Sequence, residues 1–411
     1  MSDIKDINLY ESGLRKIEWV RNHMPLLNDI EEQFTETKPL AGVKVAISCH
    51  LEAKTAYLCQ VLAAGGAEVY STGCNVLSTQ DDVAAALVKS GVNVFAVHGE
   101  TMESYYEHLR CVLRPGPNVI IDDGGDLLHI INNEMPELID NIWGGCEETT
   151  TGIHRLISLA SRGELHFPMV MVNNANCKYL FDNRYGTGQS VWDGIMCTTN
   201  LIVASKTVVV AGYGWCAKGI SMRAKGLGAK VIVTEVDPVR AMEAKMDGFE
   251  VMSMSQAAEY GDLFITSTGC CDVIVEEHFY KMKDGAILCN AGHFDVEVDV
   301  AALRRTAVES FPARNNIEGF KLNNGRTLYL LAEGRLVNLA SGDGHPAEIM
   351  DMSFAIQSLC VAYIVRNKKM LPATVLVVPE DIDNFVARKK LESWGVTIDT
   401  LTEKQREYLE Q

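Results

Sequence analysis

Short apolar runs rich in β-branched residues alternate with helical patterns between Val43 and Val172. Five of these runs predict strands: VKVAIS, AEVYST, VNVFAV, NVIIDD and FPMVMV. The stretches between them, such as TAYLCQVLAAGG and DDVAAALVKSG, are typical of helices. Strands that alternate with helices form βαβ units, so this half of the chain predicts a parallel sheet.

A second series of the same kind begins at Lys206, with the runs KTVVVAGYG, AKVIVTEVD, DLFITSTG and GAILCNAG. The helix-like stretch GQSVWDGIMCTTNLIVA joins the two series, and a long apolar helix is predicted from Glu348 to Val365 after the Gly-rich SGDGHP. We therefore expect an α/β fold with two doubly wound, Rossmann-like domains. Ligands of such sheets bind at the carboxyl ends of the strands, so reactive residues should follow the apolar runs directly.

The composition fits a globular protein and limits its partners. Of the 411 residues, 47% are apolar, and no apolar run reaches the roughly 20 residues that span a bilayer. The charged N-terminus resembles no targeting signal, so we expect a soluble, cytoplasmic protein. A net charge of -17 argues against nucleic acid or membrane partners and favours small molecules and other protein chains. The 12 cysteines lack paired metal-ligand spacing, so we expect reduced thiols and no metal site.

The segment VVVAGYGWCAKG carries the strongest local signal. Gly212 and Gly214 follow an apolar strand, and Ala217 takes the third small position of a dinucleotide-binding turn. The next strand ends at Glu235, whose carboxylate would accept hydrogen bonds from ribose hydroxyls and repel a 2′-phosphate. NAD is therefore favoured over NADP, although Arg240 could accommodate that phosphate. The alternative is a glycine turn that holds no cofactor.

Several ionisable residues follow predicted strands, and each also has an ordinary structural interpretation. Asp122 and Asp123 could act as acid and base or could cap a turn. In GGCEETTTGIH, Glu147, Glu148 and three threonines could begin a helix or face a ligand. Lys178 and Asp182 are four residues apart, as in a solvated surface pair or in a pair that grips a sugar hydroxyl. The loop histidines His50, His293 and His345 also follow predicted strands or Gly-rich turns.

Taken in order, these motifs resemble those of the S-adenosylhomocysteine hydrolase family. The resemblance extends from about Lys38 to the C-terminus, through NVLSTQDD, DDGGDL, EETTTG, KYLFDNRYG, VVVAGYG, TEVDP, TGCCDV, CNAGHFDVEVD and LLAEGRLVNL. It implies that bound NAD oxidises the ribose 3′-hydroxyl, which makes the C4′ proton acidic. Homocysteine is then eliminated, water adds, and the ketone is reduced again.

The resemblance also implies a domain division. Residues 1–183 and 345–385 would bind the substrate, an inserted Rossmann domain at 184–344 would bind NAD, and 386–411 would form a C-terminal oligomerisation tail. By the same resemblance, the expected assembly is a homo-oligomer, as a tetramer. The expected small-molecule partners are a nucleoside-homocysteine thioether, homocysteine, and inosine or adenosine.

Residue roles follow from the resemblance motif by motif. Lys178 and Asp182 would bind and deprotonate the 3′-hydroxyl, supported by Asn183, while His50 and Asp123 would manage the C4′ proton and the leaving sulfur. His293 would lie close to the sugar oxygens. The remaining substrate residues would be Glu148, Asn75, Thr79, Gln80 and the domain-gate residue His345. The cofactor residues would be Thr149, Thr150, Thr151, Gly212, Gly214, Ala217, Glu235, Arg240, Thr268, Asn290 and Asn338.

The chain departs from the family pattern beside the purine. Relatives carry a hydrogen-bond acceptor where this chain has Lys54, and they commonly have an apolar residue at the position of Asp343. A lysine donates only and a carboxylate accepts only, so Lys54 with Asp343 or Glu52 fits hypoxanthine better than adenine. The prediction is therefore a preference for S-inosylhomocysteine. The alternative is that Lys54 replaces an alkali cation or pairs with Glu52 or Asp343, which leaves S-adenosylhomocysteine as the substrate.

A further departure is Thr187, where relatives carry a cysteine, so no redox role of that cysteine transfers. Two other classes of protein share part of the pattern. An ordinary NAD dehydrogenase would carry the same fingerprint and loop histidines. A non-catalytic NAD-binding regulator would have no need of the complete acid-base set.

Overall fold

The computed structural model describes residues 2–410 and contains two eight-stranded sheets. The first half of the chain supplies seven strands: β1 (Asp3–Ile4), β2 (Lys44–Ser48), β3 (Glu68–Thr72), β4 (Asn93–Ala96), β5 (Val119–Asp122), β6 (Gly144–Glu147) and β7 (Met169–Met171). The second half supplies β8 (Thr207–Ala211), β9 (Lys230–Thr234), β10 (Glu250–Val251), β11 (Leu263–Thr266), β12 (Ile287–Asn290), β13 (Ala307–Arg314), β14 (Ile317–Leu322) and β15 (Thr327–Leu331). The chain then returns to the first sheet with β16 (Val375–Leu376).

The strand orders place a ligand crevice in each sheet. The first sheet runs β1-β4-β3-β2-β5-β6-β7-β16 with parallel pairing throughout. The second runs β10-β9-β8-β11-β12-β15-β14-β13. Its pairs are parallel, except that β14 pairs antiparallel with both β15 and β13. The order reverses between β2 and β5 in one sheet and between β8 and β11 in the other. Doubly wound folds bind ligands at such reversals.

Within residues 2–410, eighteen α-helices cover the sheets and connect them. In the first half they are α1 (Tyr10–Arg21), α2 (Pro25–Thr37), α3 (Ala53–Ala64), α4 (Asp81–Lys89), α5 (Met102–Leu113), α6 (Asp126–Asn133), α7 (Thr150–Ser161), α8 (Asn176–Lys178) and α9 (Thr187–Thr199). The second half has α10 (Trp215–Gly226), α11 (Pro238–Met246), α12 (Met254–Ala257), α13 (Glu276–Phe279), α14 (Val300–Thr306), α15 (Val337–Ala340), α16 (Ala347–Arg366), α17 (Glu380–Ser393) and α18 (Glu403–Leu409). A π-helical segment, Tyr179–Gly186, links α8 to α9.

Helix α16 lies in the core of the first domain. Its length and mean hydropathy of 1.4 would suffice to cross a membrane, but 67% of that apolar stretch is buried inside the protein. At its N-terminal half, Asp351 accepts hydrogen bonds from the backbone of α2 and from Lys390 of α17 at 2.8 Å. These contacts fasten α2, α16 and α17 together around a buried ion pair.

The sequence-predicted strands are present, and the fold is the expected pair of Rossmann-like domains, but several strands were not predicted. One of these is β6, which opens with two glycines and lies in the run GGCEETTTGIH, where only the start of a helix was expected. A Cβ on Gly145 would lie 2.5 Å from Ile120, so the crowded sheet interior admits no side chain there. The antiparallel strands β13 and β14 were also missed. The predicted start of the tail at residue 386 falls within α17, which extends to Ser393.

The two halves meet where the π-helical segment and α9 pack on α10. A Cβ on Gly219 of α10 would lie 1.8 Å from the backbone oxygen of Arg184, and one on Gly188 would lie 2.8 Å from the backbone of Gly219. The glycines therefore allow backbone to approach backbone, a contact that any larger residue would hold apart.

We expect Gly219→Ala to lower the melting temperature and Gly226→Ala to leave it unchanged or raise it. Both positions lie in α10, but a Cβ at Gly226 would meet nothing within 4 Å. The added methyl at 219 must separate two backbone segments, at a cost of about 1–3 kcal/mol, whereas alanine at 226 gains helix propensity. Thermal unfolding of both variants, followed by circular dichroism, checks this. Equal melting temperatures would contradict the close contact at the domain seam.

Candidate active site

One cavity of about 810 Å³ receives residues from the reversal points of both sheets. From the first sheet it takes His50 after β2, Asp123 after β5 and Glu148 after β6. From the second it takes Gly212 after β8 and Thr268 after β11. A single ligand site therefore lies between the two crevices, with room for a dinucleotide and a small substrate.

His50 is held in one tautomer by a neighbour that the sequence did not suggest. Ser78 donates its hydroxyl proton to the backbone oxygen of Asn75, so its oxygen accepts from His50 Nδ1 at 2.8 Å. This arrangement leaves the Nε2 lone pair of His50 directed at Asp123, whose Oδ2 is 3.6 Å away. Burial lowers the pKa of His50 to about 4, so the imidazole is neutral and can accept a proton.

Asp123 connects His50 to His293. Its Oδ1 lies 3.8 Å from His293 Nδ1, and its Oδ2 accepts from Cys74 Sγ at 3.3 Å. A Cβ on Gly124 would lie 2.3 Å from His293 Nε2, and φ is +111° there, so this turn requires glycine. The structure thus brings three sequence-predicted residues, His50, Asp123 and His293, together on one wall of the cavity.

The neighbouring carboxylates Asp122 and Glu147 lie behind the cavity wall. Asp122 accepts from the Leu128 backbone N–H, and Glu147 accepts from Gly124 and Thr149. Burial raises the pKa of Asp122 to about 7 and raises that of Glu147 well above its usual value. Of the two aspartates in the IIDDGG motif, only Asp123 faces the ligand space, while Asp122 orders the turn.

Lys178 is at the centre of the acidic side of the cavity. Its ammonium lies 3.2 Å from Glu148 Oε1, 3.3 Å from Asp182 Oδ2 and 3.1 Å from Asn183 Oδ1. Burial alone would lower the pKa of Lys178, but the carboxylates of Asp182 and Glu148 outweigh burial and raise it. The pair is buried, so the solvated-pair interpretation is excluded. The ammonium is suited to donate to a sugar hydroxyl, and it must lose a proton before it can act as a base.

Helix α16 holds two of these carboxylates from behind. Ser353 donates to Asp182 Oδ2 at 2.6 Å, and Gln357, four residues further along α16, donates to Glu148 Oε2 at 2.6 Å. Sequence reasoning missed both. The available signal was two polar residues one turn apart on a helix that is otherwise apolar and buried.

His345 lies in the segment 341–346, here called the gate loop. It joins this loop to Asp182 on the acidic side of the cavity. Its Nδ1 lies 2.6 Å from Asp182 Oδ1, and its Nε2 lies 3.1 Å from the Thr187 hydroxyl. Burial would raise the pKa of Asp182, but the charges of Lys178 and His345 lower it. Asp182 therefore stays ionised, and His345 ties the gate loop both to Asp182 and to Thr187 at the start of α9.

At the opposite side of the cavity, Glu52 and Lys54 form a buried ion pair of 2.5 Å. Glu52 also caps α3 by accepting from the backbone N–H groups of Lys54 and Thr55. The Lys54 ammonium donates to the backbone oxygen of Asp343 in the gate loop at 2.8 Å. The Asp343 carboxylate turns away and accepts from Gln80 at 2.9 Å. Lys54 thus pairs with Glu52, and the Asp343 side chain does not contact it.

Four predicted substrate residues stand outside the cavity wall: Asn75, Thr79, Gln80 and Asp343. Asn75 orders the turn that carries Ser78, and the backbone oxygen of Thr79 lies 3.0 Å from His98 Nδ1. Their positions support His50 and the gate loop from behind, so direct contact with a substrate would require the cavity to change shape.

The second half of the cavity fits a dinucleotide. Gly212 has φ of +97°, and its Cβ would lie 2.8 Å from the Ser267 oxygen, while Gly214 precedes α10 with nothing within 4 Å of its Cβ position. No side chain caps the N-terminus of α10, so its N–H groups are free for a phosphate. Glu235 accepts from the Tyr213 backbone at 2.7 Å and lines the cavity beside Arg240. Ala217 is buried inside α10, as expected of the third small position.

Some of the remaining predicted cofactor residues line the cavity, and others support its wall from behind. Thr149, Thr150 and Thr151 line the cavity at the start of α7. Among residues 2–410, the buried Asn338 Oδ1 has no hydrogen-bond donor, so it can accept from a carboxamide. Thr268 lines the cavity, but its hydroxyl donates to Glu297, which sequence reasoning missed.

The side chain of Asn290 does not line the cavity, in contrast to its predicted place. It is fully buried, and it bonds the backbone of Gly292 and Phe294, on either side of His293. It therefore orders the loop that carries His293.

Two family models cover most of the chain. The model described as "S-adenosyl-L-homocysteine hydrolase" matches residues 2–137, and the one described as "S-adenosyl-L-homocysteine hydrolase, NAD binding domain" matches residues 183–344. The chain belongs to the S-adenosyl-L-homocysteine hydrolase family. It is therefore an enzyme of that hydrolase family with an NAD-binding domain, and NAD is its cofactor.

Full-length relatives carry two different names. An S-inosyl-L-homocysteine hydrolase from Methanocaldococcus jannaschii is 56% identical over 410 residues, covering 100% of this chain and 99% of that one. An adenosylhomocysteinase from Thermococcus kodakarensis is 58% identical over 407 residues, covering 99% and 97%. A dipicolinate synthase polypeptide from Bacillus halodurans shares the fold alone, at 13% identity and a TM-score of 0.50 over 80% of this chain and 99% of that one.

We expect Glu235→Ala to weaken NAD binding at least about tenfold, because the acceptor for the ribose hydroxyls is lost. The preference for NAD over NADP should also narrow, because Arg240 remains and can bind a 2′-phosphate. Glu250→Ala is the matched control, since Glu250 only pairs with Lys230 on the exposed edge of the sheet. Calorimetric titration of cofactor-free protein with NAD and with NADP gives both affinities. Unchanged NAD affinity in Glu235→Ala would show that the fingerprint acid does not contact the cofactor.

Proposed function

We propose that the protein catalyses the reversible, NAD-dependent hydrolysis of S-inosyl-L-homocysteine to inosine and L-homocysteine. The supporting observation is the ammonium of Lys54 on the cavity wall. Two of its three N–H groups point to Glu52 and to the Asp343 backbone oxygen, and no partner among residues 2–410 takes the third. That donor fits the O6 acceptor of hypoxanthine.

Adenine fits the same place less well. Its 6-amino group is a donor and would face another donor, whereas the N1–H of hypoxanthine could donate to the carboxylate of Glu52, which lines the cavity. A buried mismatch leaves polar groups without partners, and sites built on hydrogen bonds can discriminate by about 100-fold or more. The relative from Methanocaldococcus jannaschii carries the name that this preference would give.

S-adenosyl-L-homocysteine is the second candidate substrate. The Glu52–Lys54 pair is complete without a ligand, since both groups are already bonded to each other. A lysine that only neutralises Glu52 would leave the purine to be chosen elsewhere in the cavity. The relative from Thermococcus kodakarensis, named adenosylhomocysteinase, supports this alternative.

The ribose would bind between Lys178 and the gate loop. When bound, NAD supplies the reversible oxidation of the ribose 3′-hydroxyl. Lys178 would donate to the 3′-oxygen and Glu148 would accept from the ribose hydroxyls, while Asp182 keeps Lys178 charged in the resting protein. For the 3′-hydroxyl proton to leave, Lys178 must first lose its own proton, and the positive charge of a neighbouring nicotinamide acts in that direction.

The elimination step would use the other side of the ribose. The free Nε2 lone pair of His50 and the carboxylate of Asp123 lie 3.6 Å apart, so one of them can take the C4′ proton and the pair can then pass that same proton to the leaving sulfur. His293 lies 3.8 Å from Asp123 and would bind the sugar oxygens. The gate loop, held by His345 and Lys54, would keep bulk water from the reactive ketone.

We further infer a cytoplasmic homotetramer that works in the methylation cycle of one-carbon metabolism, with no nucleic acid or membrane partner. The C-terminal part of the chain supports an assembly, because α17 and the residues after it expose large apolar side chains: Phe385, Val396, Ile398, Leu401 and Tyr408. An apolar row of this kind is normally covered by another chain.

Lys54→Gln is expected to lower the ratio of kcat/KM for S-inosyl- over S-adenosylhomocysteine at least about tenfold, because the charged donor to O6 is replaced by a neutral amide that can also accept. Lys44→Gln is the control, since Lys44 lies in the same domain and donates to the Pro115 oxygen at the far end of β2. Initial rates on both thioethers measure the ratio. An unchanged ratio, or a wild-type preference for the adenosine thioether, would support the second candidate.

Absorbance at 340 nm separates hydrolysis from an ordinary dehydrogenase. In wild-type protein we expect at most one equivalent of reduced cofactor per protein chain during turnover, since the electrons return to the same substrate. Asp123→Asn should hold the cofactor reduced after one equivalent of substrate, because oxidation can proceed while loss of the C4′ proton is slowed. Absorbance that grows in proportion to substrate consumed would identify a dehydrogenase instead.

A further inference from the structure

The adjacent residues Cys270 and Cys271 are two exposed thiols with no role in the proposed reaction. They follow β11, and both line the cavity. Because β8 lies between β9 and β11, the loop after β11 flanks the dinucleotide turn at Gly212 on the side away from β9. The loop also contacts that turn, since a Cβ on Gly212 would lie 2.8 Å from the Ser267 oxygen. The two thiols therefore belong to the wall of the cofactor site.

The loop is anchored on both sides of the thiol pair. Before the pair, the backbone N–H groups of Thr268 and Gly269 donate to the carboxylate of Glu297. After the pair, the backbone N–H of Asp272 donates to the Val296 oxygen at 3.0 Å. Any change in the conformation of this loop must therefore be absorbed by the few residues between the anchors.

Two adjacent cysteines can close a disulfide ring, but the ring is strained. Consecutive Cα atoms lie about 3.8 Å apart across a trans peptide bond, whereas disulfides usually join Cα atoms about 4.4–6.8 Å apart. A strained disulfide is more easily reduced than a structural one, and exposed, strained disulfides are the labile, regulatory ones. A disulfide between Cys270 and Cys271 would therefore be reversible.

Ring closure would also reach the cofactor wall. It reorganises the backbone of both cysteines, and the N–H of Cys270 donates to the Thr268 hydroxyl at 3.0 Å. Thr268 lines the cavity, and its hydroxyl in turn donates to Glu297 at 2.7 Å. A change at the thiol pair thus passes directly to a residue that faces the cofactor.

We propose that Cys270 and Cys271 form a reversible redox site, and that oxidation to a disulfide between them weakens NAD binding. The oxidant is a hydroperoxide. With hydrogen peroxide, the Cys270 sulfur attacks the O–O bond and becomes a sulfenic acid as one water leaves. The Cys271 sulfur then displaces a second water and forms the S–S bond. A dithiol reductant restores both thiols and is itself oxidised to a disulfide.

The order of attack follows from the charges beside the pair. The carboxylate of Asp272, together with Cys270, raises the pKa of the Cys271 thiol. A thiol that stays protonated is a poor nucleophile, so Cys270 reacts first and Cys271 resolves the sulfenic acid. The proposal concerns the cofactor alone and holds whichever thioether is the substrate.

Hydrogen peroxide in slight excess over the NAD-bound protein provides the first test. The proteolytic peptide that contains both cysteines should lose two hydrogens in mass, and dithiothreitol should restore them. Calorimetric titration of cofactor-free protein in both redox states should then show NAD binding at least about tenfold weaker after oxidation. By reciprocity, saturating NAD should raise the midpoint potential of the pair by about 30 mV for each tenfold difference in affinity.

Single-thiol variants test whether the ring itself is responsible. Cys270→Ser and Cys271→Ser cannot close it, so peroxide should change the NAD affinity of each variant less than about twofold relative to its own reduced form. Cys197→Ser is the matched control and should respond like the wild type, because Cys197 is exposed but lies in α9 and does not line the cavity.

Phenylarsine oxide tests the wild type without any substitution. It bridges two neighbouring thiols with loss of one water, so mass spectrometry should find it on the peptide that contains both cysteines. Saturating NAD should slow this labelling, because the thiols lie in the wall of the cofactor site.

Three results would overturn the redox site: no loss of two hydrogens from the wild-type peptide, equal NAD affinity in the reduced and oxidised proteins, or full weakening by peroxide in Cys271→Ser. Weakening that requires both cysteines would support it. That result would stand even in a protein that hydrolyses neither thioether, which would refute the proposed function alone.

Discussion

The buried ammonium of Lys178 is the charge on which the acidic side of the active site depends. Glu148 and Asp182 both lie within 3.3 Å of it, and all three groups are shielded from water. An isolated carboxylate in such a place would take up a proton, as the raised pKa values of Asp122 and Glu147 illustrate. Lys178 reverses that tendency at Asp182, whose pKa is lowered.

Other parts of the structure are attached to this charge centre. Ser353 and Gln357 bring the core helix α16 to Asp182 and Glu148, and His345 brings the gate loop to Asp182. The same carboxylates therefore organise the ribose site, the hydrophobic core behind it and the segment between the domains. Removing one partner would leave a buried charge unpaired, which costs far more than an exposed ion pair contributes.

The sequence alone predicted those features of the fold that short stretches of the chain determine. Alternating apolar runs predicted the parallel strands, and the turn from Gly212 to Ala217 with Glu235 predicted the dinucleotide crevice. Strand β6 was not predicted, because its glycines are required for packing against neighbouring strands and give the segment itself no strand propensity. The roles of Ser78, Ser353 and Gln357 were not predicted, because their supporting hydrogen bonds depend on contacts between distant segments. The identity of a serine or glutamine does not indicate which distant residue it will bond. The tautomer of His50 could not be predicted for the same reason, since it depends on the contact with Ser78.

Lys54 contacts both the gate loop, through the Asp343 backbone oxygen, and the space assigned to the purine. Under the proposed function, one side chain thereby links the choice of base to the anchoring of the gate loop. Exchanging Lys54 to accept a different nucleoside would also remove the hydrogen bond to the Asp343 backbone oxygen. Nucleoside preference and loop anchoring are therefore coupled through this residue, and compensating changes are expected in Gln80 or in the gate loop itself.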